Sequence, residues 1–275
     1  MSEDGYLKNL EEKYSGHVFG LSEAVLLIVT YVLSIFLMSA LAASGLIVNE
    51  IILSVISYIF TFSLCIYVYI FKLKYTNKRL IFNIRSTGFS TYILVFPLMF
   101  GGMLISEYCV DLIPTTGRFF GEWWENINNI FEKMLKNSTY MILITCIFAP
   151  ILEEILFRGI LQKGLINKGI LHIRAIFLSS FIFGVVHANP WQFISASILG
   201  VILGWVYHKT KTLLLPILLH AFNNIVSCIL ALNKKQSFAD YLGISTECAL
   251  IFGIVLVLIF GYLFYRTKKD LYILK

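Results

Sequence analysis

The chain has 275 residues, 58% of them hydrophobic and only 14% charged, with a formal net charge of +6. Soluble domains carry about 25% charged residues, so a soluble globular fold is excluded and length does not count soluble domains. The positive charge is no nucleic-acid signature, because it gathers between apolar runs and reports topology instead.

Eight apolar runs, near 22–47, 50–71, 91–113, 139–162, 171–188, 191–208, 212–232 and 247–265, approach the ~20 residues that cross a hydrocarbon core. The predicted fold class is an all-α polytopic membrane protein with about eight transmembrane helices. The fifth and sixth runs are short and meet at His187-Ala-Asn-Pro-Trp191. Near the end of the first run, Ala40-Leu41-Ala42 resembles a signal-peptide cleavage site. The segment preceding it, however, carries Glu3, Asp4, Glu11, Glu12 and Glu23 against Lys8 and Lys13, not the basic start of a signal peptide. Sixteen basic residues fall on one side of the spans: Lys8 and Lys13, the loop from Lys72 to Arg85, Lys163 to Arg174, Lys209 and Lys211, and Arg266 onward. Five fall on the other, namely Arg118, Lys133, Lys136, Lys234 and Lys235. The positive-inside rule then predicts a cell-membrane protein with both termini in the cytoplasm.

Near the outer end of the third run, Glu107 and Asp111 fit a wet headgroup setting. Residues 119–136 form a separate amphipathic element, with Phe120, Trp123, Trp124, Ile127, Phe131, Met134 and Leu135 at helical spacing. Its tryptophans suit the membrane interface, as an anchoring helix or, alternatively, a lid. The five cysteines, at 65, 109, 146, 228 and 248, lack metal spacing and read as small hydrophobes. His17, His172 and His208 sit in loops or at span ends, where a histidine is ordinarily solvated. No internal repeat is visible, and residues 1–275 read as a single integral-membrane domain.

Polar chemistry is concentrated from residue 140 onward. Glu153 and Glu154 lie inside the fourth apolar run, where a carboxylate costs roughly 2.5–3.5 kcal/mol on insertion scales. On a helix, Glu154 shares a face with Arg158, four residues on, and the two form a predicted structural ion pair. Glu153 points about 100° away and is left without a local counter-charge. Phe183 and His187 close the fifth run. His220 shares a face with Asn224 at i+4 and with Asn223 at i+3, so spacing alone does not choose between the asparagines. Pro150, Pro190 and Pro216 stand within four residues of these groups. Broken backbone at membrane depth is tolerated where it lines a cavity or is buried in protein, which predicts a polar cavity between the fourth, fifth and seventh runs. Counting ~1.5 Å per residue puts Glu153 and His220 in the cytoplasmic half of the bilayer and His187 in the outer half.

Glu153-Glu154-x-x-x-Arg158, Phe183-x-x-x-His187 and His220-x-x-x-Asn224 resemble the three motifs of the CAAX protease and bacteriocin-processing family (CPBP or Abi), which includes the type II CAAX prenyl endopeptidases. Pro150-Ile-Leu-Glu-Glu-Ile-Leu-Phe-Arg-Gly159, Gly200-x-x-x-Gly204 and Pro216-Ile-Leu-Leu-His-Ala-Phe-Asn-Asn224 agree with it. The resemblance covers about 140–226, implying a catalytic core over 139–226 behind variable N-terminal helices over 1–113. It implies an intramembrane glutamate-type endopeptidase that needs no cofactor. Glu153 and His187 would activate a water, while His220 and Asn224 would stabilise the oxyanion. Glu154, Arg158, Phe183 and Asn223 would support them. The implied partners are the bilayer and a peptide or protein substrate, either a prenylated CAAX-like C-terminus or a bacteriocin- or pheromone-type precursor. Lys 16 against Arg 6 leans toward an AT-rich bacterial source and peptide processing. Ser195 and Ser197 read as small packing residues, so covalent catalysis has no support. Competing readings are a non-catalytic scaffold or immunity-type protein, a zinc-dependent protease with a His₂Glu site, and a proton-coupled transporter.

Overall fold

The structure, a computed structural model, describes residues 16–46, 49–76, 78, 80–235 and 237–267. Lys8, Lys13, Arg79, Lys268, Lys269, Lys275 and the acidic residues before Gly16 lie outside the described residues. So does the end of the first apolar run, at residue 47.

The described elements are helices: α1 (Leu21–Ala43), α2 (Glu50–Lys74), α3 (Phe89–Asp111), α4 (Gly117–Leu135), α5 (Thr139–Asn167), α6 (His172–Val185), α7 (Pro190–Thr210), α8 (Leu214–Leu232), α9 (Phe238–Leu242) and α10 (Thr246–Arg266). Among the described residues seven helices are long and apolar enough to cross a membrane: α1, α2, α3, α5, α7, α8 and α10. The protein is an all-α, multi-pass membrane protein, as the apolar runs predict. The fifth run, 171–188, forms the short helix. With 14 residues, α6 is about 21 Å long at 1.5 Å per residue, less than a ~30 Å hydrocarbon core.

Membrane helices approach closely where side chains are small. A Cβ on Gly101 of α3 would meet the Gly253 carbonyl oxygen of α10 at 2.8 Å, and the reverse contact has the same length. Gly200 and Gly204 do the same service on α7. A Cβ on Gly200 would come within 3.0 Å of Ser180 on α6, and one on Gly204 within 2.7 Å of Gln162 on α5. Ser180 and Ser197 fill the small gaps along this seam.

Several ends gather on one face of the bundle. The Phe19 amide donates to the Gly164 carbonyl at 3.0 Å, and Asn167 Nδ2 to the His17 carbonyl at 2.9 Å. The α2–α3 loop crosses the same face, where the Leu213 amide donates to the Asn83 carbonyl at 2.7 Å and Lys163 Nζ to the Ile81 carbonyl at 3.2 Å. Lys209 Nζ ties the end of α7 to the Phe264 and Tyr265 carbonyls at the end of α10. Both described chain ends, Gly16 and Thr267, belong to this face.

One of the three loop or span-end histidines departs from its solvated expectation. His17 is fully buried against the Ile160 carbonyl, with Nε2 at 3.3 Å. Burial, followed by the charge of Lys163, pushes its pKa down to about 4. His172 and His208 stack at 4.5 Å between ring centroids. At the opposite face, Glu107 accepts the Phe238 amide at the start of α9 at 3.1 Å, a specific helix cap and not simply headgroup exposure.

Candidate active site

α5 is not uniformly α-helical. Two wide π-helical segments, Leu143–Phe148 and Ile155–Gln162, flank a short α turn, Ala149–Glu154, that ends on the glutamate pair. The first wide segment has a local cause. In it the Ala149 amide donates to the Ile144 carbonyl, five residues back. The next donor in that register would be residue 150, a proline with no N–H, so the Thr145 carbonyl lacks its helical partner. Asn224 Nδ2 of α8 donates to it instead, at 2.6 Å. Asn223 Nδ2 donates to Asn224 Oδ1 at 2.9 Å, which fixes the side-chain amide with its nitrogen toward α5. Beside this contact, Cys146 Sγ lies 3.7 Å from Cys228 Sγ.

Glu154 and Arg158 form the ion pair that their spacing predicts. Arg158 Nη1 lies 2.8 Å from Glu154 Oε1, with both side chains fully buried. The arginine also donates from Nη2 to the Gly200 carbonyl at 3.1 Å, and its guanidinium carbon sits 4.7 Å from the Phe183 ring centroid. One turn further, Gln162 Nε2 donates to the Gly204 carbonyl at 2.8 Å. The two glycines thus open α7 backbone to two polar side chains of α5.

His220 completes the cluster from α8. Pro216 occupies the first turn of that helix, where a missing N–H costs least. His220 Nδ1 lies 2.9 Å from Glu154 Oε1. Because Glu154 is already paired with a guanidinium and accepts hydrogen bonds, Nδ1 carries the proton. The other ring nitrogen, Nε2, faces Glu153 Oε2 at 3.7 Å. That exceeds hydrogen-bond length but lets both atoms reach one intervening oxygen. Glu153 Oε1 accepts a hydrogen bond from the Tyr58 hydroxyl of α2. Spacing gave no sign of Tyr58, since it is one of three tyrosines in a span that also carries Ser54, Ser57, Thr61 and Ser63.

His187 follows α6, with Nδ1 2.8 Å from the Phe183 carbonyl. Phe183 is the hub of the motif rings, with its centroid 5.1 Å from His187 and 5.6 Å from His220. Past His187 the chain reverses through Ala188 at φ 52°, a left-handed conformation costly for a residue with a Cβ. Asn189 then caps α7, accepting the Gln192 amide at 2.8 Å and donating to the His187 carbonyl at 3.0 Å. Trp191, buried, meets Phe120, Trp123 and Trp124 of α4 at 6.1, 6.2 and 4.9 Å between centroids. The amphipathic helix has no buried residue of its own and lays its aromatic side on the turn that carries His187.

The structure thus joins Glu153, Glu154, Arg158, Phe183 and His220 in direct contact. His187 is linked through Phe183, and Asn224, with Asn223, is held against α5 nine residues before Glu154. The cluster is packed: Glu153 and His220 are each 7% exposed. Two clefts open between α1 and α2, and neither is lined by Glu153, His187, His220 or Asn224. Among the described residues no group of three or more His, Cys, Asp and Glu side chains has a geometry that could hold a metal ion.

Residues 135–226 match the family model of Rce1-like type II CAAX prenyl endopeptidases. The chain is similar to a Bacillus subtilis protein described as a putative membrane peptidase, YdiL, with 26% identity over 195 residues, or 71% of this chain and 78% of that one. It is also similar to the UPF0177 protein YaiF of Lactococcus lactis, with 27% identity over 168 residues, or 59% of this chain and 72% of the relative. No solved structure matches the chain. With three motifs in order on α5, at the end of α6 and on α8 of a multi-pass helical bundle, the chain is similar over residues 135–226 to the CAAX-protease-like (CPBP, Rce1-like) family of membrane proteins.

Proposed function

We propose that the protein is an intramembrane endopeptidase in which Glu153 is the general base. One observation carries this reading. Of two adjacent buried carboxylates, Glu154 is locked to an arginine in a direct ion pair, whereas Glu153 accepts from a phenol and faces the open nitrogen of a histidine. Peptide hydrolysis needs a base for water, donors for the oxyanion and an acid for the leaving amine. Glu153, with His187, takes a proton from a water. The resulting hydroxide attacks the carbonyl carbon, and His220 and Asn224 stabilise the oxyanion. Collapse of the tetrahedral intermediate breaks the C–N bond, and Glu153 returns its proton to the amine. A ring that donates from Nδ1 to Glu154 can also donate from Nε2 only as imidazolium, so Glu154 orients His220 and balances its charge. Glu154, Arg158, Phe183 and Asn223 are positioning residues.

The site works within residues 139–226 of one membrane domain, with the gathered basic face toward the cytoplasm. The reaction as written draws on side chains and water alone. The substrate is a peptide that reaches the site through the bilayer, a route suited to a lipidated, CAAX-like C-terminus or an apolar peptide precursor. The test is a comparison of peptide termini in cells carrying wild-type protein or Glu153→Gln. New termini that depend on Glu153 are expected. Identical termini, with any cellular phenotype surviving the substitution, would instead identify a scaffold.

A further inference from the structure

We propose that Tyr58 is the positioning residue for Glu153: its phenol holds Oε1 so that Oε2 is the oxygen presented to His220. The role in catalysis rests on the peptidase reading, but the orientation does not. Arg158 of α5 directs Nη1 to Glu154 and Nη2 to the Gly200 carbonyl. A donor to Glu153 comes from α2, outside the region that carries the three motifs, where the Tyr58 hydroxyl donates to Glu153 Oε1.

The phenol is held in place. Its ring lies 4.8 Å from that of Phe62, one turn along α2. Tyr58 also packs in the same apolar cluster as Leu152, Ile155 and Leu156, which flank the glutamate pair on α5. A carboxylate whose first oxygen is fixed by a rigid donor has its second oxygen fixed as well, here 3.7 Å from His220 Nε2.

The chemical type of the donor matters as much as its place. A lysine or arginine at this point would make Glu153 a second copy of the Glu154–Arg158 pair, a carboxylate neutralised by a permanent cation. A phenol satisfies one oxygen of a buried carboxylate without adding charge, so the group remains free to take up and release a proton. The two adjacent glutamates have different partners, a cation for the structural one and a neutral donor for the reactive one.

The test uses the full chain in lipid nanodiscs, with 3-fluorotyrosine placed at position 58. The fluorine resonance should move when Glu153→Gln is introduced and stay in place with the remote Glu107→Gln. A quenched fluorescent peptide with a farnesylated C-terminus serves as the activity probe. Tyr58→Phe keeps the ring, so its unfolding midpoint should match wild type, while kcat falls about tenfold or more and KM changes by less than about twofold. A resonance indifferent to Glu153→Gln overturns the proposal, as does a Tyr58→Phe protein with wild-type kcat. A wild-type protein that leaves the peptide intact while its resonance responds to Glu153→Gln counts against the peptidase reading and still supports the Tyr58–Glu153 orientation.

Discussion

Glu154 and His220 come from helices far apart in sequence, yet Glu154 Oε1 accepts at 2.9 Å from His220 Nδ1 while also bound to Arg158. A single oxygen thus sets both the charge balance and the tautomer of the ring. Arg158→Ala would strip this oxygen of its permanent cation and leave a buried charge unpaired, a loss of roughly 3–5 kcal/mol. We expect a lowered unfolding midpoint and poor recovery from detergent. An Arg158→Ala protein of wild-type stability that has lost only cleavage would give the arginine a direct part in the reaction.

Glu153→Gln retains an oxygen able to accept from Tyr58 but removes the proton acceptor. Cleavage should fall by roughly 10²–10⁴-fold, the usual contribution of a general base, with the unfolding midpoint little changed. Wild-type turnover in this variant would transfer the role of base to another group, His187 first.

Chelation separates the water-and-side-chain mechanism from a metal-assisted one. Cleavage by the reconstituted protein should persist in excess chelator. Activity that vanishes on chelation and returns with zinc would reassign Glu153 and the histidines as ligands.

His17 makes the N-terminal segment sensitive to pH. Its folded pKa of about 4 lies below the ordinary 6.5, pushed down by burial and then by Lys163, with Lys78 adding in the same direction. A detached segment therefore binds the proton more tightly than the docked one. Docking is fully stable above pH ~6.5 and weakens as pH falls toward ~4. The protection factor of the Phe19 amide, which is bonded to Gly164, should fall across that window once the intrinsic exchange rate is divided out, and His17→Gln should flatten the response.

The α4 aromatics clamp the turn that bears His187. Trp124→Ala removes the nearest ring to Trp191, a loss of about 1 kcal/mol of aromatic packing. Faster limited proteolysis around α4 together with slower cleavage is expected. Faster proteolysis with unchanged cleavage would make α4 an anchor alone.

Span positions were legible in the sequence because hydropathy is a property of segments. Glu154–Arg158 was legible because helical spacing is local, and the pair forms even though Arg158 lies in a wide turn. Tyr58 was not legible, since its partner is 95 residues away and a tyrosine in a span carries no periodic mark. The burial of His17 was hidden for a similar reason: it depends on a groove at Gly164, where a Cβ would meet Phe19 at 2.7 Å. The shortness of α6 showed only in the structure, because its apolar run continues past the helix end at Val185. The clefts between α1 and α2 had no signal among Pro150, Pro190 and Pro216, which mark one interior break and two helix starts.

The wide turns of α5 make that span a vernier. Each segment in π register takes up residues at a different pitch from its α-helical neighbours, so the bearing of every side chain upstream is fixed by an integer count and not by hydropathy. Deleting one residue from Leu143–Phe148 would leave a span as apolar as before, yet would turn the preceding stretch by about 100° relative to Glu153. It would carry the Thr145 carbonyl away from Asn224. Membrane insertion would be indifferent to that edit, while the alignment of α5 with α8 would be lost.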